Sequence, residues 1–595
     1  MKIIGTIKDI RVRTFSKHIK LKAALAALFP LFLTLITELS HMNNLPALLR
    51  FAAGKPKVIL FDFLVVLVIY VVLIFLTRSV TASTCVCSAL FYVFSFVEFF
   101  KYGSVGTHFS ITDLLMFGDI SGISCFVLFR PTPGLVAGFL LLLAYAFGIF
   151  LLNVRIKIKR GVSYASALCV TAVFFSFIAV KPVYSAVYSA FEINIEDDNN
   201  IILTNERFTE SNLIAYFTES ISKEFDKILI PPESYSPESI GSILGNPGKY
   251  KGISKNTEEK NNGSFKPNIV IIMSESFADM RLIDGISVPG GVYDGFDYVA
   301  EKGHKAISLV PTFGGGTVKS EFELLFGLPM KSIKNVSQPQ NIFLTDEASV
   351  ETFARLYSDS GYSSTYLHPF QADFYNRDKV YAEFGFDRLI FEDDLTVEPS
   401  YFYEYVDDKT VFGQIEKLLG ENGGASYIFA TTMQNHMPYI NGEFEGGELE
   451  FYFSGVKKTC GALKEFYDYV MSLDYPTAVM FIGDHYPGFS PESDVYNGAG
   501  LTADNCYEIY VQPYLMFDNF GADYGIVPET CVSAFYLPHL LNAATGAETS
   551  EFSALMLEKM PQTPIYTDVG LFVPQDEELD LLTYDRTIGE GYSLR

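Results

Sequence analysis

The sequence predicts a multi-pass α-helical membrane domain followed by an α/β domain with a largely parallel central sheet. Three observations carry that prediction. The first is charge: residues 1–190 hold 18 Lys or Arg and 6 Asp or Glu, whereas the other 405 residues hold 26 basic and 63 acidic groups. A half at +12 and a half at −37 are different physical objects, although the whole chain averages to −25. The second is a crowd of apolar runs in the first third, each near the roughly 20 residues that a bilayer-spanning helix needs. The third is a change after Pro267 to short apolar runs alternating with longer amphipathic ones, the pattern of strands covered by helices.

In the basic half, spanning helices are expected at about 23–40, 58–77, 81–100, 134–153 and 163–182. The second contains one ionisable residue, Asp62, near its end. Five runs do not fit a signal peptide, which is one short run before a cleavage site. Lys2, Lys8, Arg11, Arg13, Lys17, Lys20 and Lys22 precede the first helix, and Arg155, Lys157, Lys159 and Arg160 separate the fourth from the fifth. By the positive-inside rule both belong in the cytoplasm, which puts everything after about residue 183 outside. Arg50, Lys55 and Lys57 fall in a loop expected outside, against the trend. Residues 106–129 are apolar but carry His108, Asp113 and Asp119, costly groups in a lipid-exposed span. They read as an interfacial or re-entrant segment, because a sixth crossing would invert the acidic half.

The domain boundaries follow: a membrane domain over 1–190, an extracellular linker over 191–265, and a catalytic domain over 266–595. The linker combines an acidic stretch, a helix through 208–228, and a Pro, Gly and Ser-rich loop from Pro231 to Lys251. Cys460, Cys506 and Cys531 are an odd set without CxxC spacing, so no disulfide framework is implied. The acidity of the larger half excludes nucleic acid as a partner.

Segments 268–273, 426–432 and 477–482 read as strands buried on both faces, with helices at 348–360, 409–420 and 458–473. Open α/β sheets bind ligands beyond the carboxyl ends of their strands. There the chain places Ser274-Glu275-Ser276, Gln434-Asn435-His436 and Gly483-Asp484-His485. Glu, Asp and His are ligands for a divalent ion of the Mg, Mn or Zn kind. Glu275 alone also reads as a helix cap, His436 as a structural hydrogen-bonder, and Asp484-His485 as a polar turn. In Pro311-Thr-Phe-Gly-Gly-Gly-Thr317, the glycines permit a tight backbone, and Thr317 opens a segment of helical spacing. Free N–H groups there favour a phosphate, and a metal-bound hydroxyl there is a candidate nucleophile. Taken alone, Thr317 is an ordinary N-cap.

Together, five N-terminal helices and the motifs SES, GGGTxKSEFE, YNRD, NHMPY and GDHYP resemble, in order, the lipoteichoic acid synthase family. These are membrane phosphoglycerol transferases with a sulfatase-like domain of the alkaline phosphatase superfamily. The resemblance implies one divalent metal, Mn by preference with Mg or Zn as alternatives, held by Glu275, Thr317, Asp484 and His485. It makes Thr317 the nucleophile and His436 a catalytic and substrate-binding residue, with Arg377, Tyr375 and His368 in the substrate pocket. Arg377 is expected to grip phosphate oxygens through its planar fork. Two positions depart from the family: Tyr375 stands where Trp is usual, and Phe370 where an acid is common. Both leave the head group and acceptor open. A cysteine-derived sulfatase nucleophile is excluded, since no cysteine lies between Cys169 and Cys460.

The expected activity is transfer of glycerol phosphate from a phosphatidylglycerol-like membrane lipid to a glycerophosphate polymer. Alternatives are phosphoglycerol or phosphoethanolamine transfer to a glycan or lipid, phosphodiester hydrolysis, or a non-catalytic membrane scaffold.

Overall fold

The computed structural model describes residues 19–115, 131–152, 158–195, 201–226, 231–245, 266–333, 336, 338–344, 350–421, 424–439, 444–525, 530–546, 550–569 and 575–594. The chain divides into two compact units. The first contains the five helices long and apolar enough to cross a membrane, with apolar windows Ala24–Met42, Pro56–Thr77, Val80–Ser104, Pro133–Leu151 and Arg160–Ala179. Each lies where the hydropathy of the sequence puts it. Leu45–Gly54 and Lys181–Ala190 are short additional helices with Pro in the first turn, where its missing N–H costs nothing.

Two buried carboxylates in this unit, Glu38 and Glu98, accept from backbone N–H groups. The helix Ile201–Phe225 breaks at Asn212 (φ 62°, ψ 179°). The N–H groups of Leu213 and Ile214, freed by that break, donate to Glu38 at 3.3 and 3.2 Å. His108 and the Phe109 N–H bind Glu98, each at 2.6 Å, and Lys101 binds Asp113 at 2.8 Å. The polar groups of 106–115 thus have partners, and this part forms a turn and the short helix Ile111–Leu115. The remainder of the expected 106–129 segment lies outside the described residues, as do Arg155, Lys157 and the basic residues before Ile19. The helix expected at 208–228 begins earlier, and contact places Leu203–Lys227 with the first unit.

The second unit is built on an eight-stranded sheet in the order β10-β2-β9-β8-β1-β7-β3-β4. Its strands are β1 Asn268–Ser274, β2 His304–Leu309, β3 Ser363–Leu367, β4 Arg388–Ile390, β7 Ser426–Thr431, β8 Thr477–Gly483, β9 Val511–Asp518 and β10 Cys531–Ser533. All are mutually parallel except β9, which runs against both neighbours. β5 Tyr401–Phe402 and β6 Tyr405–Val406 form a separate antiparallel hairpin. Central strands β1, β7 and β8 are buried along their whole length, the continuous apolar signature of sheets covered on both faces. On one face Ile269, Ile271, Met273 and Phe429 pack with Phe322, Leu325 and Phe326 of the helix Thr317–Phe326. On the other, Phe481 meets the rings of Phe277 and Phe296.

Two expectations change. The Pro231–Lys251 loop contains the helix Pro237–Leu244, which Ser236 caps by accepting from the Ser239 N–H. The helix expected at 458–473 begins nearly three turns earlier, at Glu448. Among the described residues the cysteines are free, Cys460 and Cys506 buried.

Candidate active site

Sheet register brings the site together. Ser274 pairs with Gly483, so Glu275 and Asp484 leave β1 and β8 side by side. Met273 pairs with Thr431 and Leu367 with Ala430, so the chain after β7 and His368 after β3 emerge on the same rim. The ligand atoms of Glu275, Asp484 and His485 lie within 4.8 Å of one another, all three residues buried.

The helix start places Thr317 against them. Gly314, Gly315 and Gly316 have φ of 62°, 138° and 78°, three successive values that side chains disfavour. This turn is held by the Gly314 N–H on the Tyr486 carbonyl at 3.0 Å and by Thr312 Oγ1 on the Gly315 carbonyl at 2.6 Å. Thr317 then opens its helix and donates to Glu275 Oε2 at 3.2 Å. Ser276, itself at φ 49°, completes the set: its N–H donates to Asp484 Oδ1 at 2.7 Å and its hydroxyl to Glu275 Oε1 at 2.8 Å.

This wall fits a divalent cation. His485 Nδ1 donates to the Tyr486 carbonyl at 3.0 Å, which leaves Nε2 as a bare acceptor. It faces Asp484 Oδ2 at 3.1 Å, and neither atom has a hydrogen-bond partner. Two buried lone pairs this close are stable only with a cation or proton between them. Burial, and then the charge of Glu275, hold the Asp484 carboxyl well above the usual range, while burial pushes His485 down and keeps it neutral. A neutral imidazole beside two carboxylates is the donor set that Mg, Mn or Zn accepts.

The opposite wall is formed by Arg377 and its partners. Tyr375 (φ 61°) and Asn376 (φ 56°) place two left-handed residues before it, a conformation costing about 1–3 kcal/mol each. Arg377 is 1% exposed. Sequence reasoning expects its fork to grip phosphate, but the Nε–Nη2 edge is taken by Glu321: Nη2 lies 3.1 and 3.2 Å from the two carboxylate oxygens, and Nε 3.4 Å from Oε2. A fully buried guanidinium requires a counter-ion before any substrate arrives, and Glu321 is that ion. Nη1 is 3.3 Å from His368 Nε2. His368 in turn donates from Nδ1 to the Thr431 carbonyl at 3.0 Å, so both of its nitrogens are engaged. Burial, then the Arg377 charge, lowers His368 to about 3, so it is a neutral acceptor that orients Arg377.

Thr317, Glu275, His368, Tyr375, Arg377 and His436 line one small cavity. His436 Nδ1 donates to the Met437 carbonyl at 2.7 Å, which fixes the orientation of its ring in the cavity. Phe370 packs on Phe374 and Tyr405, with ring centroids 5.3 and 6.4 Å away, where a carboxylate would be stranded among rings. The Tyr375 ring lies 5.1 Å from the Arg377 guanidinium.

Sequence reasoning missed Glu321. Its carboxylate also accepts from Tyr366 at 2.8 Å, Thr431 at 2.7 Å, and Tyr381. Burial is the largest influence on it and favours the acid form, but Arg377, His368 and Tyr381 together hold it below the usual carboxylate range. The signal was present: Glu321 stands four residues after Thr317 on one helix, on the face that Phe322 and Leu325 bury.

Residues 267–547, within the second unit, match the Sulfatase family model. Two Rhizobium meliloti (strain 1021) proteins are similar in sequence. One is assigned to cyclic beta-1,2-glucan modification, 28% identical over 40% of this chain and 37% of its own length. The other is the capsular polysaccharide biosynthesis protein RkpI, 29% identical over 48% of this chain and 51% of its own. The chain therefore spans between about a third and a half of these relatives. The Streptococcus pyogenes phosphoglycerol transferase GacH, solved with sn-glycerol-1-phosphate, is 22% identical, covering 61% of this chain and 97% of that one at a TM-score of 0.48.

Proposed function

We propose that this chain is a membrane-bound, metal-dependent phosphotransferase that moves glycerol phosphate from a phosphatidylglycerol-like lipid to an acceptor hydroxyl through Thr317. The observation that carries this reading is the Thr317 hydroxyl, set at a helix N-terminus between unpartnered metal-ligand atoms and a fixed guanidinium. The domain boundaries at residues 190 and 265 and an extracellular catalytic domain belong to the same proposal.

Glu275, Asp484 and His485, with Thr317, would hold the ion, Mn by preference. When bound, it would lower the pKa of the Thr317 hydroxyl and offset phosphate charge. Free N–H groups at the start of the Thr317 helix orient the phosphodiester, and the fixed Arg377 charge on the opposite wall attracts it. Thr317 Oγ passes its proton to Glu275 Oε2, to which it already donates, and attacks phosphorus; the bond to the diacylglycerol oxygen breaks, and His436, entering the step protonated on both nitrogens, gives its Nε2 proton to that oxygen. An acceptor hydroxyl then passes its proton to His436 and attacks the glycerophospho-threonine. The P–Oγ bond breaks and Thr317 takes its proton back from Glu275, which returns every group to its starting state.

A glycerophosphate chain and a glycan are both candidate acceptors. The relatives' descriptions, one a glucan-modifying protein and the other a capsular polysaccharide biosynthesis protein, favour the glycan. The decisive experiment incubates the full-length protein with head-group-labelled phosphatidylglycerol and Mn. Diacylglycerol release and a covalently labelled protein are expected, both abolished in Thr317→Ala. Undiminished release from that variant removes Thr317 from the reaction.

A further inference from the structure

Beside His436 the β5–β6 hairpin exposes two aromatic rings that nothing above uses. Tyr401 is 49% exposed and Tyr403, at the turn with φ 54°, is 40% exposed. The hairpin is not loose. Its register pairs Tyr401 with Val406 and Phe402 with Tyr405. Phe402 is buried 5.5 Å from the Phe451 ring, Tyr403 packs 4.7 Å from the same ring, and Ser400 bonds Asp407 at 2.7 Å. The hairpin also touches the cavity: Tyr405 donates to the Met437 carbonyl at 2.9 Å, and its ring lies 5.5 Å from that of His436. Tyr401 and Tyr403 stand on the same short hairpin as Tyr405, within four residues of the ring that meets His436.

Charge selects what such a surface takes. Residues 391–408 contain seven carboxylates and no Lys or Arg. Tyr401 donates to Glu392 at 3.3 Å, and Asp393, Glu398 and Glu404 are exposed around it. One cation, Lys458, lies over the Phe402 ring on the hairpin, whereas Lys409 pairs with Glu465 and Lys417 donates to the Thr396 carbonyl and pairs with Glu421. Such a rim repels a polyanion or an anionic bilayer within about a Debye length of 8–10 Å. For a neutral sugar it is favourable, because flat tyrosine rings cover the C–H faces of a pyranose and carboxylates accept from its hydroxyls.

We infer that the Tyr401–Tyr403 hairpin is the acceptor subsite, and that it takes an uncharged glycan rather than a glycerophosphate chain. This rests on the transferase reading, and it adds where the acceptor lies and what charge it carries. In the step it serves, a sugar hydroxyl attacks phosphorus, its proton goes to His436, and the P–O bond to Thr317 breaks.

The test uses full-length protein in nanodiscs with labelled phosphatidylglycerol, Mn, and neutral glucan oligosaccharides or glycerophosphate oligomers as acceptors. The wild type is expected to label the glucan. Tyr401→Ala/Tyr403→Ala raises the KM for glucan about tenfold, the scale of two lost aromatic contacts, and leaves diacylglycerol release without acceptor within about twofold. Glu398→Lys/Glu404→Lys shifts preference toward glycerophosphate oligomers. An unchanged glucan KM in the tyrosine variant, or preference of the wild type for the anionic oligomer, overturns the inference. If the wild type releases no diacylglycerol, the transferase reading fails on its own. Saturation-transfer NMR with glucan then decides the hairpin separately: signal lost in the tyrosine variant sustains it, and signal retained overturns it.

Discussion

The two walls of the cavity beside Thr317 are built on opposite principles. On one, Asp484 Oδ2 and His485 Nε2 face each other without hydrogen-bond partners, next to a second buried carboxylate. On the other, Glu321 satisfies Arg377 and three hydroxyls at once. The first wall is left electrostatically incomplete, as a group of cation ligands is by itself. The second is complete before a ligand arrives, so its role is to hold a guanidinium in place. Binding sites commonly join one of each, because a wall that must reorganise gives up binding energy that a rigid one keeps.

Substitutions on the two walls should therefore move stability in opposite directions. Asp484→Asn is expected to reduce transfer by about a thousandfold or more, in the range of catalytic-group removals. It should leave the melting temperature of the metal-depleted protein unchanged or higher, because it relieves a buried like-charge pair. Thermal unfolding with and without chelator checks this, and a large loss of stability would mean that Asp484 serves the fold.

Glu321→Gln should do the reverse. It strands a buried guanidinium, at a cost of about 3–5 kcal/mol. Replacing both partners, as in Glu321→Gln/Arg377→Met, should recover much of that stability while transfer stays lost. Denaturant unfolding of the single and double variants measures the difference. A Glu321→Gln protein as stable as the wild type would show that the pair is not the closed unit described here.

The smallest expected effect concerns His368. The folded protein holds it at about 3, whereas an unfolded His takes up a proton near 6.5. Between those values the unfolded chain binds more protons, so stability rises with pH up to about 6.5 and is flat above it. His539, lowered to about 4 chiefly by burial, acts in the same sense. In His368→Gln, the drop in melting temperature from pH 7.5 to pH 5 should shrink without vanishing. An unaltered drop would show that His368 titrates normally in the folded state.

Legibility in the sequence followed the same division. The incomplete wall was readable residue by residue, because Glu275, Asp484 and His485 each sit directly after an apolar strand and Thr317 directly after three glycines. The complete wall was not. Arg377 was expected to meet phosphate, His368 to meet substrate, and Glu321 carried no assigned role. Their partnership joins side chains 56 residues apart, and no local pattern encodes which buried carboxylate a buried arginine will reach. The helix Pro237–Leu244 escaped for a different reason: Ser236 and Pro237 cap a helix as readily as they punctuate a loop.

From the sequence alone came the five apolar helices, the parallel strands, and the residues at their ends. These depend on length, hydropathy and periodicity, which are local properties of the chain. The tertiary structure alone decided that Arg377 belongs to Glu321, that His368 is a neutral orienting acceptor, and that Tyr401 and Tyr403 stand exposed on the hairpin whose Tyr405 meets His436. Those facts depend on strand register and on which charges share a buried volume, and the energy of a buried charge is set by its neighbours in space.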